Sequence, residues 1–153
     1  MDIGFTGTRA GMTKEQKDCF QLLIAFLKPT RFHHGNCIGA DTDAERIIRK
    51  ERGEGCIIVR WPCNIPSVQS KIIKRDCDFV RDIMPPLVRN SEIVRASDVM
   101  IATPKEHKEV LRSGTWATIR CAKRTGHKLY IIWPYGTVSM FNFKENKDEN
   151  KLS

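Results

Sequence analysis

Residues 98–133 read DVMIATPKEHKEVLRSGTWATIRCAKRTGHKLYIIW, and this stretch decides the fold. The apolar run DVMIAT (98–103) suits a strand, as does KLYIIW (128–133), which Pro134 and Gly136 stop. Between them lie a polar loop, PKEHKEVL (104–111), and a segment of helical period that begins after the small residues Ser113, Gly114 and Thr115. Two strands separated by a helix imply parallel pairing, because parallel neighbours need a long crossover connection.

The same alternation runs back to the N-terminus. DIGFT (2–6) is a first strand, and KEQKDCFQLLIAFLK (14–28) sets Phe20, Leu23, Ile24 and Leu27 at helical spacing. Thr13 suits the N-cap, with Gln16 three residues on as in a capping box, and Pro29 closes the helix. A short strand over 31–34, RFHH, leads through GNCIGADTDAE into a helix near 41–52 that Gly53 and Gly55 end. CIIVRW (56–61) is a third strand. Residues 62–86 carry Pro62, Pro66, Pro85 and Pro86 and read as irregular chain with at most one short helix. LVRNSEIVRAS (87–97) then suits a helix with Leu87, Ile93 and Val94 inward, before the fourth strand at 98–103 and the final one at 128–133. The expected fold is α/β, a Rossmann-like three-layer sandwich with a mainly parallel central sheet flanked by helices. One domain is expected over 1–140, followed by a polar tail over 141–153.

Bulk properties narrow the function. The 153 residues are 41% hydrophobic and 29% charged, the range of one globular core. No run of about eighteen apolar residues occurs, so no membrane span is expected. MDIGFTGTRAG lacks a basic region followed by an apolar stretch, and the expected location is the cytoplasm. Six cysteines occur without CxxC pairing or a CxxC…HxxxH spacing, so they read as small buried hydrophobes, and neither a metal site nor a cofactor is expected. The net charge of +8 favours anionic partners. It lies in the body, since KENKDENKLS holds three positive and three negative side chains.

In a parallel sheet, ligands bind where strands end and loops enter helices. The loop after the first strand, TGTRAGMT, offers Gly7, whose backbone angles are unrestricted, with the hydroxyls of Thr6 and Thr8 and the planar cation of Arg9. The second, HHGNCIGAD, brings Gly35, Gly39, Ala40 and Asp41 to a helix start, where Asp41 reads either as a cap or as an acceptor for a ribose hydroxyl. His33 and His34 read as structural or as general acids and bases. The loop before residue 116 sets Ser113, Gly114 and Thr115 at a helix mouth, whose free N–H groups favour phosphate, although a plain N-cap explains the same residues. Trp116 reads as core or as a stacking lid. Arg89 and Asn90, with Arg9 and Arg112, form a rim of polar and cationic groups on that edge.

Taken together, GxTGTR at Gly4 to Arg9, HHGxCxGAD at His33 to Asp41, Arg89–Asn90, Ser97 to Ala102, Ser113 to Ala122 and Ile131 to Gly136 resemble the SLOG superfamily. That Rossmann-like group includes DprA domains and the LOG nucleoside-monophosphate phosphoribohydrolases. The likeness is greatest to its small stand-alone YspA/YpsA-like members. It implies a nucleotide-binding domain, often homo-oligomeric, whose glycine–threonine helix mouth holds phosphate. In the phosphoribohydrolases that mouth reads PGGxGTxxE, with an arginine on the preceding helix. Arg89 matches the arginine and Gly114–Thr115 the GT, but Thr118 stands where the glutamate would be. Cleaving an N-glycosidic bond builds positive charge on the sugar, which a hydroxyl stabilises far less than a carboxylate. Asp41, Glu106 or Glu109 would have to supply that carboxylate, with Arg89 on the phosphate. The leading expectation is capture or sensing of a nucleotide or nucleotide-derived small molecule. N-glycoside hydrolysis is the second reading and single-stranded nucleic-acid binding the third, the latter weakened by aromatic residues at only 8% of the chain.

Overall fold

The computed structural model describes residues 1–143. In chain order it holds β1 (Asp2–Gly7), α1 (Lys14–Leu27), β2 (Arg31–His34), α2 (Ala40–Arg52), β3 (Ile57–Arg60), β4 (Phe79–Val80), α3 (Pro86–Ala96), β5 (Val99–Thr103), α4 (Gly114–Arg124), β6 (Lys128–Ile132) and β7 (Val138–Phe141). The seven strands form one sheet in the order β4-β3-β2-β1-β5-β6-β7, parallel except where β7 returns antiparallel to β6. The architecture is therefore the Rossmann-like three-layer sandwich. Residues 144–153, most of the expected polar tail, lie outside the described residues.

Local chemistry starts and stops the elements as the sequence suggests. Thr13 caps α1 in a full capping box, its hydroxyl accepting from the Gln16 N–H while the Gln16 side chain accepts from the Thr13 N–H. Gln16 is itself buried and donates to the carbonyls of Pro104 and Ile132, tying the helix start to the far half of the sheet. Lys28 ends the helix in the left-handed region at φ 49°.

Two cores flank the sheet. On one face Phe20 and Ile24 of α1 and Ala44 and Ile48 of α2 pack on Ile3, Phe5, Phe32, Ile58 and Ile101. Phe5, Phe20 and Phe32 meet with ring centroids 5.5 to 5.9 Å apart. On the other face Ile93 and Val94 of α3 and Trp116, Ile119 and Ala122 of α4 cover Val59, Met100, Ala102, Leu129 and Ile131. Each of the larger aliphatic and phenylalanine side chains contributes about 1.5–3 kcal/mol by leaving water, so these layers hold the loops above them in place.

Three expectations are corrected. Leu87 is exposed, because Pro86 starts α3 and the inward face is set by Arg89, Ile93 and Val94. The strand at 128–133 is not the last: Trp133 and Gly136 close a turn through the Trp133 N–H on the Thr137 carbonyl and the Gly136 N–H on the Trp133 carbonyl, and β7 follows. The stretch 62–86 holds a two-residue strand, β4, beside one short 3-10 turn at Pro66–Val68.

A buried ion network pins α2 to β2 and β3. Glu45 accepts from Arg60 Nε at 2.9 Å and Nη2 at 2.8 Å, and His34 Nε2 lies 3.1 Å from it. Burial alone would raise the Glu45 pKa, but hydrogen bonds from His34 and Arg60 and their charges outweigh it and hold it down to about 2. A depressed carboxylate stabilises the fold above its unfolded value, and that contribution disappears as pH falls from about 4.5 toward 2. In Glu45→Gln, urea midpoints should drop by the equivalent of about 3 kcal/mol at neutral pH, with the deficit closing toward pH 2. A deficit that does not change with pH would contradict this assignment.

Candidate functional site

The strand order reverses direction between β1 and β5: from β1 the chain runs out through β2 and β3 on one side, and it returns to β5 on the other. At such a switch point the loops leaving adjacent strands part and leave a crevice. A pocket of about 440 Å³ opens there, lined by Thr6–Arg9 at the end of β1 and just beyond it, Gly35, Cys37 and Asp41 after β2, Pro86, Arg89 and Asn90 of α3, and Lys105, Glu106 and Arg112–Thr115 after β5.

Close backbone packing builds its floor. A Cβ on Gly7 would lie 2.4 Å from Ala40 Cβ and 2.6 Å from Thr103 Oγ1, so Gly7 is required for closeness, and its φ is not among the positive ones. Gly39 has φ +84°, and a Cβ there would strike the Arg9 carbonyl at 2.2 Å. The Ala40 N–H donates to the Thr8 carbonyl at 2.9 Å, locking the first loop to the start of α2. Gly39 and Ala40 thus shape the pocket from behind without lining it.

Arg89 is buried beneath the pocket. It donates from Nη1 to the Gly35 and Trp61 carbonyls and from Nε to Asn90 Oδ1 at 2.7 Å, while Nη2 lies 3.9 Å from Cys37 Sγ. Gly35 is pressed between this guanidinium and Asp41: a Cβ would come within 2.6 Å of Arg89 Nη1 and 3.0 Å of Asp41 Oδ2. Asp41, in the first turn of α2, accepts from the Cys37 N–H at 3.1 Å. Burial raises its pKa, against the opposing charges of His34 and Arg89. Burial and the neighbouring Asp41 push the Cys37 thiol up to about 11, so it faces the pocket protonated.

The mouth is the start of α4. Ser113 caps the helix by accepting from the Trp116 N–H at 3.3 Å, and the N–H groups of Gly114 and Thr115, two residues that line the pocket, lie in the first turn, where no intrahelical acceptor exists. Gly114 has open space around it, the nearest neighbour of an added Cβ being Asn90 Nδ2 at 4.0 Å. Arg9, Lys105 and Arg112 are exposed around this mouth. Glu106 lines it too, held by the Trp116 indole N–H at 3.2 Å.

Not every expected site residue arrives. Trp116 is core, packed at a tilt of 38° against Trp133 with centroids 5.7 Å apart. Thr118 is buried and donates to the Gly114 carbonyl within its own helix. Glu109 pairs with Arg120 at 3.0 Å outside the pocket. His33 is structural: it accepts from the Trp61 indole on Nδ1, so Nε2 carries the proton toward Asp2, 2.8 Å away. His34 accepts the Asn36 N–H and serves the Glu45 network. Lys105, Pro86 and Cys37 are pocket residues that sequence reasoning passed over. The cation in the polar loop 104–111 was the available signal for the first.

As pH rises through the raised Asp41 pKa, a negative charge appears beneath the pocket and weakens its hold on an anion. Sulfate keeps its double charge across this range and serves as a probe. Its affinity for the wild-type protein, measured by NMR titration, should fall with rising pH, and the fall should be smaller in Asp41→Asn. Parallel curves for the two proteins would remove Asp41 from the pocket's electrostatics.

No protein-family model matches the chain, and a search of curated proteins finds no match. Its likeness is to solved structures. It superposes on the molybdenum cofactor binding protein of the phototrophic bacterium Rippkaea orientalis with a TM-score of 0.61 at 20% identity, over 99% of this chain and 83% of that one. It is also similar to TM1055, a structural genomics target, with a TM-score of 0.57 at 17% identity, over 84% of this chain and 71% of that one. At these identities the three chains share a fold, the Rossmann-like α/β sandwich.

Proposed function

We propose that this chain is a SLOG-type domain that captures a nucleotide or nucleotide-derived small molecule in the pocket between β1 and β5, with its phosphate at the α4 mouth. The observation that carries the reading is the convergence of four cations (Arg9, Arg89, Lys105 and Arg112) and the free N–H groups of a helix start on one concavity of about 440 Å³. That volume suits a small molecule. A relative in fold named as a molybdenum cofactor binding protein accords with small-molecule capture.

The phosphate contributes most of the affinity in this reading, and the rest of the ligand extends toward Glu106 and Asp41, which accept hydrogen bonds from sugar hydroxyls. These two carboxylates also favour a second reading, N-glycosidic hydrolysis. Glu106 takes the part left vacant by Thr118, and Glu109 has none, because Arg120 holds it away from the pocket.

Titration calorimetry with a panel of nucleoside monophosphates and the matching nucleosides tests the binding. At least one nucleotide should bind while its nucleoside does not, and Lys105→Ala or Arg112→Ala should each weaken it about 10- to 100-fold. Equal affinity for nucleotide and nucleoside would refute the phosphate seat. Incubating the bound nucleotide and assaying free base separates the two readings: capture predicts no release, and hydrolysis predicts release that Glu106→Gln abolishes.

A further inference from the structure

The bonds that make His33 structural also join it to the cation beneath the pocket. Phe32 packs on the α1–α2 side of the sheet, so strand alternation turns His33, which is 3% exposed, to the other face. There its ring lies beside Trp61, the residue after β3, with centroids 6.1 Å apart. Trp61 bonds in two directions. Its indole N–H donates to His33 Nδ1 at 3.1 Å, and its carbonyl accepts from Arg89 Nη1 at 2.9 Å. His33 Nε2 carries its proton toward Asp2 Oδ1, 2.8 Å away, at the start of β1. Asp2, His33, Trp61 and Arg89 thus form a hydrogen-bonded run from a partly exposed carboxylate to the floor of the pocket.

In this run Nδ1 is the ring nitrogen that can take a second proton, and it is also the one that accepts from the indole. An imidazolium presents N–H groups on both nitrogens, so Nδ1–H would face the indole N–H, donor against donor. The bond to Asp2 survives, because Nε2 donates in either state and the added charge strengthens it. The bond to Trp61 does not. We propose that His33 is a proton-operated latch on Arg89: neutral, it holds Trp61 so that the Trp61 carbonyl keeps Arg89 beneath the pocket, and protonated, it releases Trp61 and with it one of the acceptors that hold the guanidinium down. Arg89 then has a donor to offer a bound anion, and the imidazolium adds a second positive charge behind it. Both effects strengthen the hold on an anion.

The charges around His33 set the latch to act in acid. Asp2 faces it from β1, Arg31 from its own strand, and Arg81 from the segment after β4, where the guanidinium lies 5.3 Å from the Trp61 ring centroid. On α3 the inward charge is Arg89 itself, while Glu92 and Arg95 pair on the outer turns. Burial holds His33 below the usual histidine value of 6.5, Asp2 opposes that shift, and Arg31 and Arg81 add to it. His34, the next residue, serves Glu45 and the Asn36 N–H and takes no part in the run.

NMR titration of the full chain between about pH 7.5 and 4.5 tests the latch without any ligand. The Trp61 indole N–H and Arg89 Nε–H resonances should shift with the midpoint of the His33 ring signals, and not with that of His34. In His33→Asn, whose side-chain oxygen can accept from the indole but cannot titrate, both resonances should lose that transition. In Trp61→Phe, which has no indole N–H, the Arg89 resonance should cease to follow His33. The effect on binding rests on the reading of the pocket as a phosphate seat. With sulfate as the probe, the affinity of the wild-type protein relative to His33→Asn should rise about 3- to 10-fold as the pH drops through the His33 midpoint. An indole resonance that ignores the His33 titration, or an Arg89 transition that persists in His33→Asn, would overturn the latch. Sulfate affinities that keep one ratio at every pH would overturn its link to the pocket. If the resonances move as stated and sulfate binds at no pH, the latch holds and the phosphate seat fails.

Discussion

The buried guanidinium of Arg89 is the constraint on which the rest of the site depends. Removing a charge from water is costly unless hydrogen bonds satisfy it, and Arg89 satisfies its own with backbone carbonyls: Gly35 after β2 and Trp61 after β3. Those two contacts fasten the ends of neighbouring strands to α3. Asn90 fixes the plane of the group, and Gly35 must lack a side chain for it to fit. Nη2 lies 3.9 Å from the Cys37 sulfur.

Around that cation the fold distributes charge in a consistent way. Asp41 is a buried counter-group whose pKa burial raises, against the opposing charges of His34 and Arg89. The exposed cations Arg9, Lys105 and Arg112 stand on two loops, the one after β1 and the one after β5, which the divergence at the switch point sets around the pocket. The amide groups at the start of α4 add partial positive charge without any side chain. The Glu45–Arg60–His34 network does the opposite: its charges are fully paired and face the core, so it stabilises α2 and takes no part in binding.

Much of this was legible in the chain itself. The alternation of short apolar runs with helical periods predicts the three layers, and the Thr13–Gln16 pair predicts the start of α1. The elements that escaped, β4 and β7, are short edge strands: β7 is a four-residue return across a tight turn from β6, and two residues such as Phe79 and Val80 carry no period. Leu87 was misplaced because a helix that begins at a proline can be rotated by one residue without disturbing its apolar count. The site followed the same rule. Its glycines and arginines announced themselves by type and order, whereas Glu109 differs from Glu106 only in direction and Trp116 turns into the core, both of which tertiary packing decides. Thr118, expected at the ligand, is buried and bonds the Gly114 carbonyl within its own helix.

A structure of the protein bound to the nucleoside monophosphate it prefers tests the central claim most directly. The account predicts the phosphate within hydrogen-bond distance of the Gly114 and Thr115 N–H groups, with Arg112 or Lys105 closing over it and Arg89 unmoved beneath. A phosphate seated on the opposite edge of the sheet, or a pocket closed by apolar side chains, would contradict it.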